Sequence, residues 1–194
     1  NEAAQGANDL NGNGAADDDV LFVRTLATGD QSNTGVAVDP ARLAATGSHC
    51  VFTTNESDEP GSPDLNGDGD DSDAVLRSYD HQTALVTTWP YATSDLVARE
   101  GVVAFRVCEN EQGESDLNFD GDAGGDYDEC VMHVLLLASG EVQNTERNAS
   151  ACNLPGCDPF FEPYRVTPSS VSFLTSEYAQ SGLGVPPGTP LAVD

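Results

Sequence analysis

Apolar residues gather in short runs along the chain: LFVRTL, AVLRSY, VVAFRV, CVMHVLLL and VSFLT. Stretches dense in Gly, Asp, Asn and Pro separate them. The runs are rich in β-branched and aromatic residues and recur over the whole length, which is the pattern of strands between turns. Helical periodicity nowhere exceeds two turns. HVLLLASG comes nearest to it, and the CVM just before favours a strand. The fold class expected is all-β, and the regular spacing argues against disorder.

The polar stretches repeat as well. Asp9-Leu10-Asn11-Gly12-Asn13-Gly14 returns as Asp64-Leu65-Asn66-Gly67-Asp68-Gly69 and again as Asp116-Leu117-Asn118-Phe119-Asp120-Gly121, at intervals of 55 and 52 residues. A glutamate precedes each loop (Glu2, Glu56, Glu109), and a fourth, Glu177, has no acidic loop after it. Phe52, Phe105 and Phe173 each stand four residues before a glutamate of this series, and strands follow the loops near Val20, Val75 and Val131. One unit therefore reads strand, glutamate, acidic loop, strand, then a turn-rich return such as ATGDQSNTG. The units span about residues 1–54, 55–107 and 108–175, with a partial fourth at 176–194. Units of this size, each too small to bury its own apolar face, suggest the blades of a β-propeller. Three and a half units are fewer than the usual minimum of about four blades. Either the tail closes a ring, or a strand comes from another chain, or the sequence is part of a longer array. The start at Asn1, without Met or signal peptide, reads as a mature product or a fragment.

The loops have the chemistry of a calcium site. Oxygen-bearing side chains at positions 1, 3 and 5 turn inward, and Gly at position 6 permits the sharp turn that brings in the carbonyl of position 7. Loop 1 offers Asp9, Asn11, Asn13 and the carbonyl of Ala15; loop 2 offers Asp64, Asn66, Asp68 and Asp70; loop 3 offers Asp116, Asn118, Asp120 and Asp122. Asp18, Asp73 and Asp128 are the closing carboxylates expected before the next strand. An EF-hand is excluded, because it needs Glu at position 12 and a helix afterwards. Magnesium prefers fewer carboxylates in a tighter octahedron, and zinc has no Cys/His cluster here. About three Ca²⁺ ions are expected. Glu2, Glu56 and Glu109 read either as late ligands or braces of these sites, or as solvated strand ends.

DLNGDGDDSDAVL resembles the D-x-N-x-D-G-x-x-D loops of FG-GAP and integrin-type β-propeller repeats. It is similar too to secreted bacterial repeat proteins that carry DLNGDGD units behind a V-x-F strand and a glutamate. The resemblance covers most of residues 1–140 and 165–180 and implies a propeller-like fold with calcium at the loop Asp and Asn positions. The final Asp falls one residue late in loops 1 and 2 and later in loop 3, and the FG-GAP tetrapeptide itself does not occur.

Charge narrows the partners. Seven Arg and no Lys stand against 33 acidic residues, a net charge of −26. Nucleic-acid backbones and anionic membrane surfaces need basic patches, so neither is expected as a partner. No apolar run approaches the ~18 residues of a membrane span. Of five cysteines, Cys50 shares the strand phase of Val103 and Val171 and is expected buried. Cys108 and Cys130 bracket loop 3 at the ends of antiparallel strands, and Cys152 and Cys157 flank a turn; both pairs are expected to be oxidised, as in secreted proteins. Asn55 and Asn148 begin glycosylation triplets, Asn148 being expected in a loop. No GxSxG, HExxH, P-loop or Cys–His arrangement occurs, His49, His81 and His133 are scattered, and an enzyme is not expected.

The expected function is an extracellular, calcium-stabilised structural or adhesive repeat protein. It would assemble with itself or with adjacent repeats, filaments included. The alternative is a carbohydrate-binding or glycoside-hydrolysing propeller that meets cell-surface glycans through Trp89, Tyr91 and Tyr164.

Overall fold

The computed structural model describes residues 1–6, 8–121, 129–150 and 164–175. It is all-β, with twelve strands among the described residues and three single turns of 3-10 helix: Ala3–Gln5, Glu56–Asp58 and Asn110–Gln112. Strands β1 (Val20–Arg24) and β2 (Gln31–Ala37) form an antiparallel pair. A four-stranded meander follows, of β3 (Leu43–Thr46), β4 (His49–Asn55), β5 (Ala74–Asp80) and β6 (Leu85–Ala92). A second meander has the same order, with β7 (Asp95–Arg99), β8 (Val102–Cys108), β9 (Cys130–Leu136) and β10 (Glu141–Asn148). A short pair, β11 (Arg165–Thr167) and β12 (Ser170–Ser172), ends the described chain. None of the sheets closes on itself.

The period-2 alternation of the inner strands explains the packing. In β4, Cys50 and Phe52, with Tyr79 of β5, face Val36 and Val38 at the first sheet; Val51 points the other way. In β8, Val103, Phe105 and Val107 join Val51 and Leu76 between the second and third sheets. Val102 and Ala104, on the opposite face, pack with Met132, Tyr164 and Val166 against the last pair. Strands covered on both faces lose the polar alternation of a half-exposed sheet, so all seven residues of β8 are buried. Phe52 and Phe105 are among the largest fully buried side chains.

Several expectations meet their structural context here. Cys50 is buried and unpaired, while Cys108 and Cys130, opposite one another across β8 and β9, form a disulfide. Cys152, Cys157 and Glu177 lie outside the described residues. The return ATGDQSNTG is a turn only in its first half, because Gln31–Ala37 is strand β2. Its polar residues face solvent on an edge strand, which leaves no apolar alternation to read. Asn148 sits not in a loop but at the end of β10, buried and opposite Val131. Trp89 packs against the central cluster and bonds Ser78 Oγ through Nε1 at 3.1 Å. Tyr91 meets Phe105 edge-on and His133 at a tilt, and Tyr164 has its hydroxyl on Asp95, which also holds Arg106 at 2.5 Å. Tyr164 is buried, while Trp89 and Tyr91 are half-buried against the core.

Candidate metal centre

Loop 2 joins β4 to β5 and loop 3 joins β8 to β9, while loop 1 leads into β1. Each begins with the carboxylate of position 1 drawing the backbone around itself. Asp9 accepts from the N–H of Gly12 at 2.6 Å and of Gly14 at 2.9 Å. Asp64 accepts from Gly67 at 2.6 Å and Gly69 at 3.1 Å, and Asp116 from Gly121 at 3.1 Å. Position 3 adds an Asx turn in all three: the side-chain oxygens of Asn11, Asn66 and Asn118 accept the N–H of Asn13, Asp68 and Asp120 at 3.2, 3.3 and 3.2 Å. Position 5 continues the pattern, with Asn13 accepting from Ala15 N–H and Asp68 from Asp70 N–H. Gly14, Gly69 and Gly121 have φ of 91°, 105° and 94°, where an L side chain is strained.

Solvated strand ends are ruled out for the three glutamates. Glu2 and Glu56 are fully buried, and Glu109 is 2 % exposed. Glu2 Oε1 accepts the N–H of Leu10 at 2.5 Å, Glu56 Oε1 that of Leu65 at 2.5 Å, and Glu109 Oε1 that of Leu117 at 2.6 Å. Each glutamate thus braces position 2 of its loop from beneath. Its own backbone N–H bonds the carbonyl just before the next strand, at Asp18, Asp73 and Glu129 respectively.

Those partners identify the closing residues. Asn11 Nδ2 reaches Asp18 Oδ2 at 3.3 Å, Asn66 Nδ2 reaches Asp73 Oδ2 at 2.8 Å, and Asn118 Nδ2 reaches Glu129 Oε2 at 2.8 Å. Glu129, buried, therefore fills in loop 3 the place that Asp18 and Asp73 fill elsewhere. Asp128 and Asp122 lie outside the described residues. Counting two residues back from Val20, Val75 and Val131 lands on Asp18, Asp73 and Glu129, so the signal for Glu129 was in the register of the strands.

Carboxylates converge most closely in loop 2. Oxygens of Glu56, Asp70 and Asp73 all lie within 4.8 Å of one another, a grouping that could hold a metal ion. The electrostatic cost is visible. Burial, with the charges of Asp68 and Asp70 adding to it against a bond from Asn66, pushes the Asp73 carboxyl up to about 7. Burial likewise raises Asp18 and Glu109 above the ordinary carboxylate range.

The chain matches no protein-family model, no curated protein and no solved structure. The reading of this centre therefore rests on its own chemistry. The donors are all oxygen, which suits a hard cation. Two buried oxygens, Glu2 Oε2 and Asp116 Oδ1, have no hydrogen-bond partner, and a buried oxygen of that kind costs free energy until something positive meets it.

Proposed function

We propose that this chain is an extracellular structural or adhesive module whose loops each hold a calcium ion, with the ions stabilising a propeller-like array of repeated β-units. The observation that carries the reading is the convergence of Glu56, Asp70 and Asp73, with Glu56 fully buried. Three carboxylates at such separations repel strongly in a partly desolvated site, and a divalent cation turns that repulsion into attraction. Charge count and oxygen geometry favour calcium over magnesium, which gives up its water less readily.

Supporting the repeat architecture, both meanders have one strand order, and the register of β1–β2, β5–β6 and β9–β10 shifts at equivalent places, before Phe22, before Arg77 and between Asn144 and Asn148. The Cys108–Cys130 disulfide fits an oxidising compartment, where calcium is also plentiful. No helix among the described residues is long and apolar enough to cross a membrane. Self-assembly or joining to neighbouring repeats belongs to the same proposal, since sheet edges left unpaired invite further strands.

Calorimetric titration of the chelated protein with calcium tests the reading. Binding of about three ions is expected, with a rise in melting temperature that magnesium at equal concentration does not reproduce. No heat of binding and an unchanged melting temperature would refute it.

A further inference from the structure

The oxygens that surround loops 1 and 2 do not all come from those loops. Asn11 and Asn13 donate through Nδ2 to the carbonyl of Asp58, at 2.8 and 2.9 Å, and Asn66 donates to the carbonyl of Glu111 at 3.1 Å. Asp58 and Glu111 lie two residues after Glu56 and Glu109, in the 3-10 turns that open the following loop. The same amide nitrogens also meet the closing carboxylate: Asn13 Nδ2 stands 2.5 Å from Asp18 Oδ2, and Asn66 Nδ2 stands 2.8 Å from Asp73 Oδ2. A carboxylate of one unit and a carbonyl of the next therefore close on one point.

In loop 1 a further oxygen is available. Glu2 Oε2 has no partner, on a fully buried side chain whose other oxygen is bound to the loop at Leu10. An amide N–H carries partial positive charge, and it holds the place where the closing carboxylate and the next unit's carbonyl meet. Rotation of a side-chain amide exchanges its nitrogen for its oxygen at this point, and it gives up the Asx turn that the oxygen makes in the ion-free loop.

We infer that the ions of loops 1 and 2 are shared between neighbouring units, the first taking the Asp58 carbonyl and the second the Glu111 carbonyl, so that calcium fixes each sheet against the next. This rests on the calcium reading above and adds to it where the ligands come from. Two direct bonds run beside the shared point. Glu59 accepts the N–H of Ala37 at 3.0 Å, and Gln112 accepts the N–H of Ala92 at 2.9 Å, each one residue after the carbonyl in question and each reaching the last strand of the preceding sheet. Gly113 comes so close to loop 2 that a Cβ there would lie 3.1 Å from the Asp68 Cβ. The turn is seated on the loop before it, and a ligand supplied across that seam is in place only when the two sheets are docked.

Carbonyl ¹³C resonances of the full-length, isotopically labelled protein test the inference during titration with calcium alone. The carbonyls of Asp58 and Glu111 are expected to shift in step with the side-chain carboxylates of Asp9 and Asp64. If the carboxylates respond and these two carbonyls do not, sharing is overturned while calcium binding stands. If neither responds, the calcium reading fails and takes this inference with it. Gln112→Ala sharpens the result, because it loosens the turn without touching a proposed ligand. It should weaken calcium at loop 2 about fivefold, read at the Gly69 amide, and leave loop 1, read at Gly14, unchanged. An unchanged loop 2, or equal weakening of both, contradicts the shared seam.

Discussion

Loop 2 runs from the fully buried Glu56 to Asp73 and carries Asp64, Asp68 and Asp70 between them. Loop 3 runs from Glu109 to Glu129, with Phe119 where loop 2 has Gly67, and its base is pinned by Cys108–Cys130. The two share the Asp–Gly wrap, the Asx turn and the bracing glutamate, so the backbone is built in one way. What differs is the support. On the reading proposed above, loop 2 has only a bound cation to relieve its converging carboxylates, whereas loop 3 has a covalent clamp beneath its ion as well. On that reading one local design is secured by the ion alone in loop 2 and by ion and disulfide together in loop 3, and the two loops should respond to different insults.

Removal of calcium should give the largest effect. An ion held at a hundredfold over its Kd contributes about 2.7 kcal/mol. Losing several should lower the melting temperature by at least about 10 °C in a chain of this size. Hydrogen exchange locates the loss: amide protection in β4 and β5 should fall further than in β8 and β9. Equal losses in both meanders would erase the distinction drawn between the loops.

Reduction of the clamp addresses the other half. The bridge closes a segment with a sequence separation of 22, for which loop-closure entropy gives about 3 kcal/mol. The paired variant Cys108→Ala with Cys130→Ala should lose about that much in urea unfolding with calcium present. It should also make β8 and β9 as sensitive to chelator as β4 and β5. If their sensitivity stays as it was, the disulfide is not what distinguishes loop 3.

Much of this plan could be read from the chain, and the omissions have physical causes. The inner strands announced themselves because β8 is covered on both faces and so is apolar almost throughout. Edge strands such as β2 did not, since Gln31, Ser32 and Asn33 face solvent and carry no alternation. Loop positions 1, 3 and 5 were legible because each needs a particular side chain. The burial of Glu2, Glu56 and Glu109 was not, because it depends on backbone N–H groups eight or nine residues away. The carbonyls of Asp58 and Glu111 leave no trace in composition, since every residue has one.

Protonation separates charge from shape within loop 2. In chelator the Asp73 carboxyl is raised to about 7 in the folded protein, against 3.8 for the ordinary group. Between those values the folded chain holds a proton that the unfolded chain does not. Stability of the calcium-free protein should therefore rise as pH falls through 7 toward 4, and decline again as pH increases. Asp73→Asn removes this dependence, so the difference between the two unfolding curves across that window isolates it. With calcium bound the sign reverses, because protons then compete with the ion. An identical pH profile for both proteins in chelator would mean that Asp73 does not bear the strain of loop 2.

The smallest effect concerns Phe119, which has φ of 60° and is 69 % exposed, where Gly12 and Gly67 have φ of 85° and 86° in loops 1 and 2. A left-handed backbone costs an ordinary L residue about 1–2 kcal/mol, and an exposed ring recovers little of it through packing. Phe119→Gly should therefore stabilise the protein, by somewhat under 1 kcal/mol once the greater freedom of glycine in the unfolded chain is subtracted. Phe119→Ala supplies the control, since it removes the ring and keeps the strain. Gly should exceed Ala in denaturant midpoint if backbone conformation sets the cost. The disulfide would then be offsetting a strain that loop 2 avoids by having glycine at the same turn. Equal midpoints for Gly and Ala would trace any gain to the exposed ring, and loop 3 would have no backbone strain for its clamp to hold.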